Sequence, residues 1–113
     1  MKALHTLAFL LPFTCFGQTT WNVNSGGSTQ GSTAPYYAPQ HLTIEVGDSV
    51  HWANVSGTHS INGSLSEFPT NPQGFSNGDP ESGNWHWGFR FNIPGLYNYH
   101  CTCLLYTSDA ADE

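Results

Sequence analysis

A histidine and a cysteine that stand far apart in the chain are the residues best suited to chemistry. His59 follows an apolar-alternating segment that contains Trp52, and Cys101 ends the alternating segment 95–101 (GLYNYHC). An imidazole nitrogen and a thiolate sulfur are ligands that suit copper or zinc. A fold that brings the ends of two such strands to one pole therefore creates a metal site from His59 and Cys101.

The histidines and this cysteine also have ordinary structural explanations. A lone loop histidine commonly binds no metal, and a buried free cysteine packs as a small hydrophobic side chain. His41, His51 and His86 occupy alternating positions, which is typical of a solvated strand face. His100 adjoins Cys101, and adjacent strand residues point to opposite faces, so we expect His100 to face outward and not to share a metal with Cys101.

The segments that must position the pair read as short β-strands. Between residues 41 and 53 apolar and polar residues alternate on both sides of Gly47 and Asp48, which predicts a hairpin. The aromatic residues of 85–91 recur with period two and predict a core-facing strand, with an exposed sugar-stacking surface as the alternative. No segment has a helical period, so the sequence predicts an all-β antiparallel sandwich.

Two other stretches predict less regular structure. Residues 18–38 are rich in Asn, Ser, Gly and Thr, and they predict one short strand and a flexible loop that supply little core. Residues 62–84 contain three prolines and several glycines, and they predict a long irregular loop, a kind that is often functional.

Composition restricts the domain count and the class of partner. A chain of 113 residues accommodates one small domain, and a net charge of −6 with only two Lys and Arg residues argues against nucleic acid as a partner. Cys101 is the single cysteine of residues 18–102, which argues against a disulfide framework and favours a thiol with a chemical role.

Both ends of the chain differ from the middle. Residues 1–17 combine Lys2, an apolar run and a candidate cleavage site, which predicts a signal peptide and a periplasmic or extracellular location, with no membrane span after its removal. Residues 103–113 can be read as the in-frame translation of a transposase-based sequencing adapter, which predicts a non-native tail; a genuine acidic tail is the alternative. The predicted domain is therefore 18–102.

The order of three segments resembles the plastocyanin/azurin family of cupredoxins, in particular its small secreted bacterial members. These segments are 46–54 (VGDSVHWAN), 57–61 (GTHSI) and 95–101. The resemblance implies a Greek-key β-sandwich that holds one type-1 (blue) copper ion. It also implies that His59 supplies an imidazole ligand, that Cys101 supplies the thiolate and that Tyr97 is a buried corner tyrosine.

The chain departs from this family after Cys101. The family places a second histidine, an axial methionine and a final strand there, whereas residues 102–113 contain neither His nor Met. We therefore expect a cupredoxin-like fold whose final strand is missing and whose site retains two ligands.

The function implied by the resemblance is one-electron transfer by a copper ion that alternates between Cu(I) and Cu(II). On this interpretation the protein is a monomeric electron carrier and not an enzyme, its partners are redox proteins, and His100 lies near a surface that electrons cross. Two alternatives are the electron-donating domain of a copper oxidase or nitrite reductase, and a secreted copper-binding or surface accessory module. Sequence beyond Thr102 would distinguish them.

Overall fold

The computed structural model describes residues 5–9, 18–28 and 31–102, and over these residues the protein consists of strands, turns and loops without a helix. The strands are β1 (His5–Phe9), β2 (Thr20–Gly26), β3 (Tyr36–Ala38), β4 (His41–Ile44), β5 (Ser49–Asn54), β6 (Asn62–Gly63), β7 (Phe75–Ser76), β8 (His86–Arg90) and β9 (Leu96–Tyr99). The all-β prediction is confirmed for this part of the chain.

The strands form two main sheets. A three-stranded sheet has the order β4-β1-β9, a four-stranded sheet has the order β3-β2-β5-β8, and β6 pairs with β7. The β1–β4 and β2–β5 pairs are parallel, whereas the other pairs are antiparallel. The prediction of purely antiparallel sheets is therefore wrong. Between β2 and β5 the chain crosses to the other sheet, where it forms β4, and then crosses back. As a result β5 runs in the same direction as β2.

The turn at Gly47 and Asp48 joins the two sheets instead of closing a hairpin. Its flanking strands, β4 and β5, belong to different sheets, so the hairpin prediction is wrong. The Gly47 N–H donates to the carbonyl of Phe91 at 2.7 Å, and the Asp48 carboxylate accepts from Trp21 Nε1 at 2.9 Å and from the Thr19 N–H at 3.0 Å. Backbone and side chain thus tie the turn to β2 and to the residue after β8.

Trp52 joins the inner faces of the two main sheets. Its ring is fully buried and lies edge-on to Tyr99 with centroids 5.5 Å apart, and its Nε1–H donates to the Tyr99 hydroxyl at 3.2 Å. The alternation of β5 buries Val50, Trp52 and Asn54 and turns the intervening residues outward. The buried core comprises Val23, Tyr37, Ile44, Val50, Trp52, Ile61, Phe75, Phe91, Tyr97, Tyr99 and Cys101.

Segment 18–38 contributes more to this core than its composition predicts. It forms the seven-residue β2 as well as β3, and it buries Val23 and Tyr37. The prediction of a single short strand with little core is therefore wrong. Loop-forming residues occupy the exposed face of β2 and the connection to β3. Because they dominate the composition of the segment, composition alone did not reveal its two buried apolar side chains.

The aromatic residues of 85–91 line the core. Phe91 is fully buried, and Trp85, Trp87 and Phe89 are half-buried and packed against the core. This arrangement confirms the core interpretation over the sugar-stacking one. Tyr97, on the facing sheet, is also fully buried and donates its hydroxyl hydrogen to the Ile93 carbonyl at 2.6 Å, which is the geometry of a tyrosine corner.

The long segment 62–84 is more ordered than predicted. It contains the two-residue strands β6 and β7, which pair with each other. Asn71 fastens the segment to β9, because its Nδ2 donates to the Gly63 carbonyl at 3.0 Å and to the Asn98 carbonyl at 2.9 Å, and its Oδ1 accepts from the Asn98 N–H at 2.8 Å.

Part of the predicted signal peptide forms a strand of the fold. β1 lies between β4 and β9, parallel to the first and antiparallel to the second. The remaining residues of 1–17 and the predicted non-native tail 103–113 lie outside the described residues. Across the described ranges, no helix is long and apolar enough to cross a membrane.

Candidate metal centre

His59 is held at the pole of the fold by backbone pairing shortly after β5. The His59 N–H donates to the Glu81 carbonyl at 3.1 Å, and the Glu81 N–H donates to the His59 carbonyl at 3.0 Å. The imidazole is only 3% exposed. This residue therefore sits in a fixed, nearly dry position although it lies in a connection between strands.

Cys101 reaches the same pole from the end of β9. Its neighbour His100 pairs with Asn62 through two backbone bonds, with the Asn62 N–H donating at 2.8 Å and the His100 N–H donating at 3.1 Å. The Cys101 side chain is 1% exposed and is a free thiol. Because Asn62 follows directly on the 59–61 segment, this bridge sets that segment beside Cys101.

The two predicted ligands are brought together by the fold. The thiol of Cys101 lies close enough to the His59 ring to raise the pKa of the imidazole. Ser60 lies between them and donates its N–H to Cys101 Sγ at 3.3 Å, and its hydroxyl approaches the same sulfur at 3.9 Å. The Thr102 N–H donates to the Ser60 hydroxyl at 3.0 Å. An N–H directed at the sulfur stabilises negative charge there, as a thiolate ligand requires.

The second nitrogen of the His59 ring has a partner that fixes the ring's orientation. Nε2 lies 2.9 Å from the Gly27 carbonyl oxygen, which can only accept, so we assign the proton to Nε2. Nδ1 then keeps its lone pair for a ligand. A backbone carbonyl on the far nitrogen is the usual outer support of a metal-binding histidine.

Gly57 is required where the chain passes this ring. Its φ is +74°, and a Cβ at this position would overlap the Gly27 carbonyl oxygen and lie 2.7 Å from His59 Nε2. A larger residue would therefore be strained in its backbone and would displace the imidazole.

The pKa of His59 lies above its ordinary value of 6.5. Burial by itself lowers the pKa, but the hydrogen bond and charge of Cys101, together with the backbone of Gly27 and Ser56, favour the protonated ring and outweigh it. The pair is thus electrostatically matched, because an ionised sulfur and a protonated imidazole stabilise each other.

Asn54 holds the segment before His59 in place through hydrogen bonds, a role that the sequence analysis did not predict. Its Nδ2 donates to the Gly57 carbonyl at 3.0 Å and to the Gly83 carbonyl at 2.8 Å, and its Oδ1 accepts from the Ser25 hydroxyl at 2.8 Å. Both side chains are buried. The sequence gives one sign of this role, because Asn54 is a polar residue at a strand position that alternation predicts to face inward. A polar group at such a position is expected to be buried and hydrogen-bonded.

Aromatic side chains close the site on the core side. Tyr37 donates its hydroxyl hydrogen to the Ser60 carbonyl at 2.5 Å, and its ring lies 4.8 Å from that of Tyr99. Tyr99 is buried to the point that its hydroxyl stays protonated, since burial raises its pKa well above the ordinary range. Ser60 and Cys101 are themselves fully buried.

Four of the other histidines lie elsewhere in the fold. His100 points away from Cys101, packs edge-on against Phe68 at 5.0 Å and lies 3.5 Å from Glu67, so it is half-buried against the loop and not outward-facing as predicted. His41 lies on β4, and His51 and His86 lie on the outer face of the four-stranded sheet, as predicted for a solvated face.

The described part of the chain supplies two candidate ligands and no larger cluster. Within it, no group of three His, Cys, Asp or Glu side chains is placed to hold a metal ion. The chain matches no protein-family model, and neither a curated protein nor a solved structure is significantly similar to it. His59 and Cys101 are therefore the residues that point to a function.

Proposed function

We propose that this chain carries two of the four ligands of a type-1 copper site and that the protein transfers single electrons. The observation that carries the proposal is that His59 and Cys101, both almost fully buried, lie close together at one pole of the fold, where the Ser60 N–H donates to the Cys101 sulfur. An imidazole nitrogen and a thiolate are two of the three strong ligands of such a site, and a second imidazole and a weak axial ligand complete it.

The residues around the pair fit a copper ion. His59 keeps Nδ1 available while Nε2 is engaged by Gly27, and the Ser60 N–H is directed at the sulfur. When bound, copper supplies the one-electron couple between Cu(I) and Cu(II). The chain's own residues hold the ligands in place and exclude water, which limits rearrangement when the charge of the site changes.

The finer features of the proposal concern the rest of the protein. We place the second histidine, the axial methionine and a final strand beyond Thr102 in the natural gene product, where they would complete a cupredoxin-like Greek-key sandwich. The protein then acts as an exported monomeric electron carrier in the periplasm or outside the cell, and redox proteins are its partners.

Two experiments test the proposal. Sequencing the gene from source DNA past the Thr102 codon should reveal a histidine and a methionine at copper-ligand spacing. The protein expressed to its natural end and titrated with Cu²⁺ should then develop an intense visible thiolate-to-copper absorption. C101S should abolish this band, H59A should abolish or strongly shift it, and the control H41A should leave it intact.

Either of two results would contradict the proposal. One is a natural sequence without further ligands, combined with no visible band from the copper-loaded protein. The other is a band of full intensity in C101S, which would place the metal on a different residue.

A further inference from the structure

His51 and His86 form a pair of imidazoles outside the site described above. Their rings are stacked, with centroids 5.1 Å apart and an angle of 19° between the ring planes. His51 lies on β5 and His86 on β8, on the outer face of the four-stranded sheet. The core uses the opposite face of both strands, so these rings serve no packing role inside the protein.

The strand register explains why the two rings meet. In the antiparallel β5–β8 pair, His86 is opposite Ala53 and His51 is opposite Gly88. The histidines are thus diagonal neighbours on one face, a spacing that ring side chains can bridge. Their direct cross-strand partners are the two smallest residue types, so no bulky side chain separates the rings.

The separation of the rings suits a shared metal ion. A histidine nitrogen binds a transition metal at roughly 2.0–2.1 Å, so two nitrogens on one ion lie about 3–4 Å apart. Neither ring is locked in the core, since His86 is exposed and His51 is half-buried. Side-chain rotation alone can therefore turn the stacked rings until one nitrogen of each points to a common ion.

The local charge permits a cation at this place. Arg90 is the only arginine of the chain and lies on the same face of β8, but its Nε donates to the Gly47 carbonyl at 3.1 Å and so points towards the turn between β4 and β5. The net charge of −6 favours the accumulation of cations around the protein. On the other side of β5, Asn22 of β2 pairs with His51 and adds no charge.

We propose that His51 and His86 form a surface site for a divalent transition-metal cation such as Zn²⁺, Ni²⁺ or Cu²⁺. Each imidazole supplies one nitrogen, and water fills the remaining positions. A bound ion links β5 to β8 and stabilises the folded protein by mass action. This site is independent of the His59–Cys101 pair, and its existence does not depend on electron transfer.

A Zn²⁺ titration of the full chain carrying C15S, C101S and C103S tests the site without competition from a thiol. The side-chain resonances of His51 and His86 in ¹⁵N NMR should shift together at one equivalent, and the melting temperature should rise. Calorimetry should show that H51A and H86A each weaken this binding by at least about tenfold. The matched control H41A removes an exposed histidine of the other sheet and should bind Zn²⁺ unchanged.

The proposal is overturned if only one of the two rings responds to Zn²⁺, or if H41A loses as much affinity as H51A and H86A. Undiminished binding in the double variant H51A/H86A would overturn it as well. The NMR measurement on the folded protein that carries only the three cysteine substitutions decides the matter even if a further substitution impairs folding.

Discussion

Replacement of Asn54 by alanine should destabilise the protein more than a typical polar substitution. The amide makes three hydrogen bonds, two donated to the Gly57 and Gly83 carbonyls and one accepted from Ser25. All three bonds lie in a buried or partly buried region, and each contributes about 1 kcal/mol. The expected loss of unfolding free energy is therefore about 3 kcal/mol.

Urea unfolding of the full chain, followed by tryptophan fluorescence, measures this loss. For a small domain whose free energy of unfolding falls by about 1.5 kcal/mol per molar urea, the midpoint should decrease by about 2 M. The matched control S25A removes only the bond between Ser25 and Asn54 and should cost about 1 kcal/mol.

The double variant S25A/N54A makes the test quantitative. Because the two single variants both remove the same Ser25–Asn54 bond, the double variant should lose about 3 kcal/mol and not the sum of the single losses. If N54A costs no more than S25A, the amide does not hold the Gly57 and Gly83 carbonyls, and the support that we assign to the histidine segment is refuted.

Three further predictions concern the corner tyrosine, the turn between the sheets and the glycine beside the imidazole. Y97F removes the hydroxyl that donates to the Ile93 carbonyl, so it should cost about 1 kcal/mol in urea unfolding, and a neutral result would show that the bond contributes no net stability. Burial raises the pKa of Asp48, but hydrogen bonds from the Trp21 side chain and two backbone N–H groups lower it overall, below 3.8. Its contribution to stability is thus fully present above the unfolded pKa and lost as pH falls through the folded pKa. D48N should therefore be less stable than the parent at pH 7, and this difference should shrink as the pH falls below 3.8; an equal difference at every pH would contradict this. G57A places a Cβ against the carbonyl of Gly27 at a positive φ and should lower the free energy of unfolding by about 1–3 kcal/mol. The control G78A is also at a positive φ but has open space around it, so it should lower the free energy of unfolding by less. Equal losses in the two variants would show that backbone strain alone matters.

The sequence was sufficient for the type of element and for the identity of the buried pair. Period-two alternation marked β5, β8 and β9. It succeeds there because alternation directly reflects which face of a strand is buried. His59 and Cys101 were paired because each follows such a strand and because their side chains are the metal-binding types in those positions.

Sheet membership could not be derived in the same way. The alternation on both sides of Gly47 and Asp48 is equally compatible with a hairpin and with a turn between sheets. The hydrogen bonds that Asp48 accepts from Thr19 and Trp21 hold the turn between the two sheets. These donors belong to a segment that is remote in sequence. The parallel pairing of β2 with β5 follows from the same long-range choice.

The sequence by itself determined that the chain forms strands, which face of β5, β8 and β9 is buried, and that His59 and Cys101 can meet at one pole. Only the tertiary structure decided how that meeting is supported, through the Gly27 carbonyl on His59, the Ser60 N–H on Cys101 and the Asn54 amide beneath Gly57. It also decided that His51 and His86 stack on the outer sheet face. The physical reason is that alternation records burial along one strand, whereas these contacts depend on the register and sheet assignment of strands that are distant in sequence.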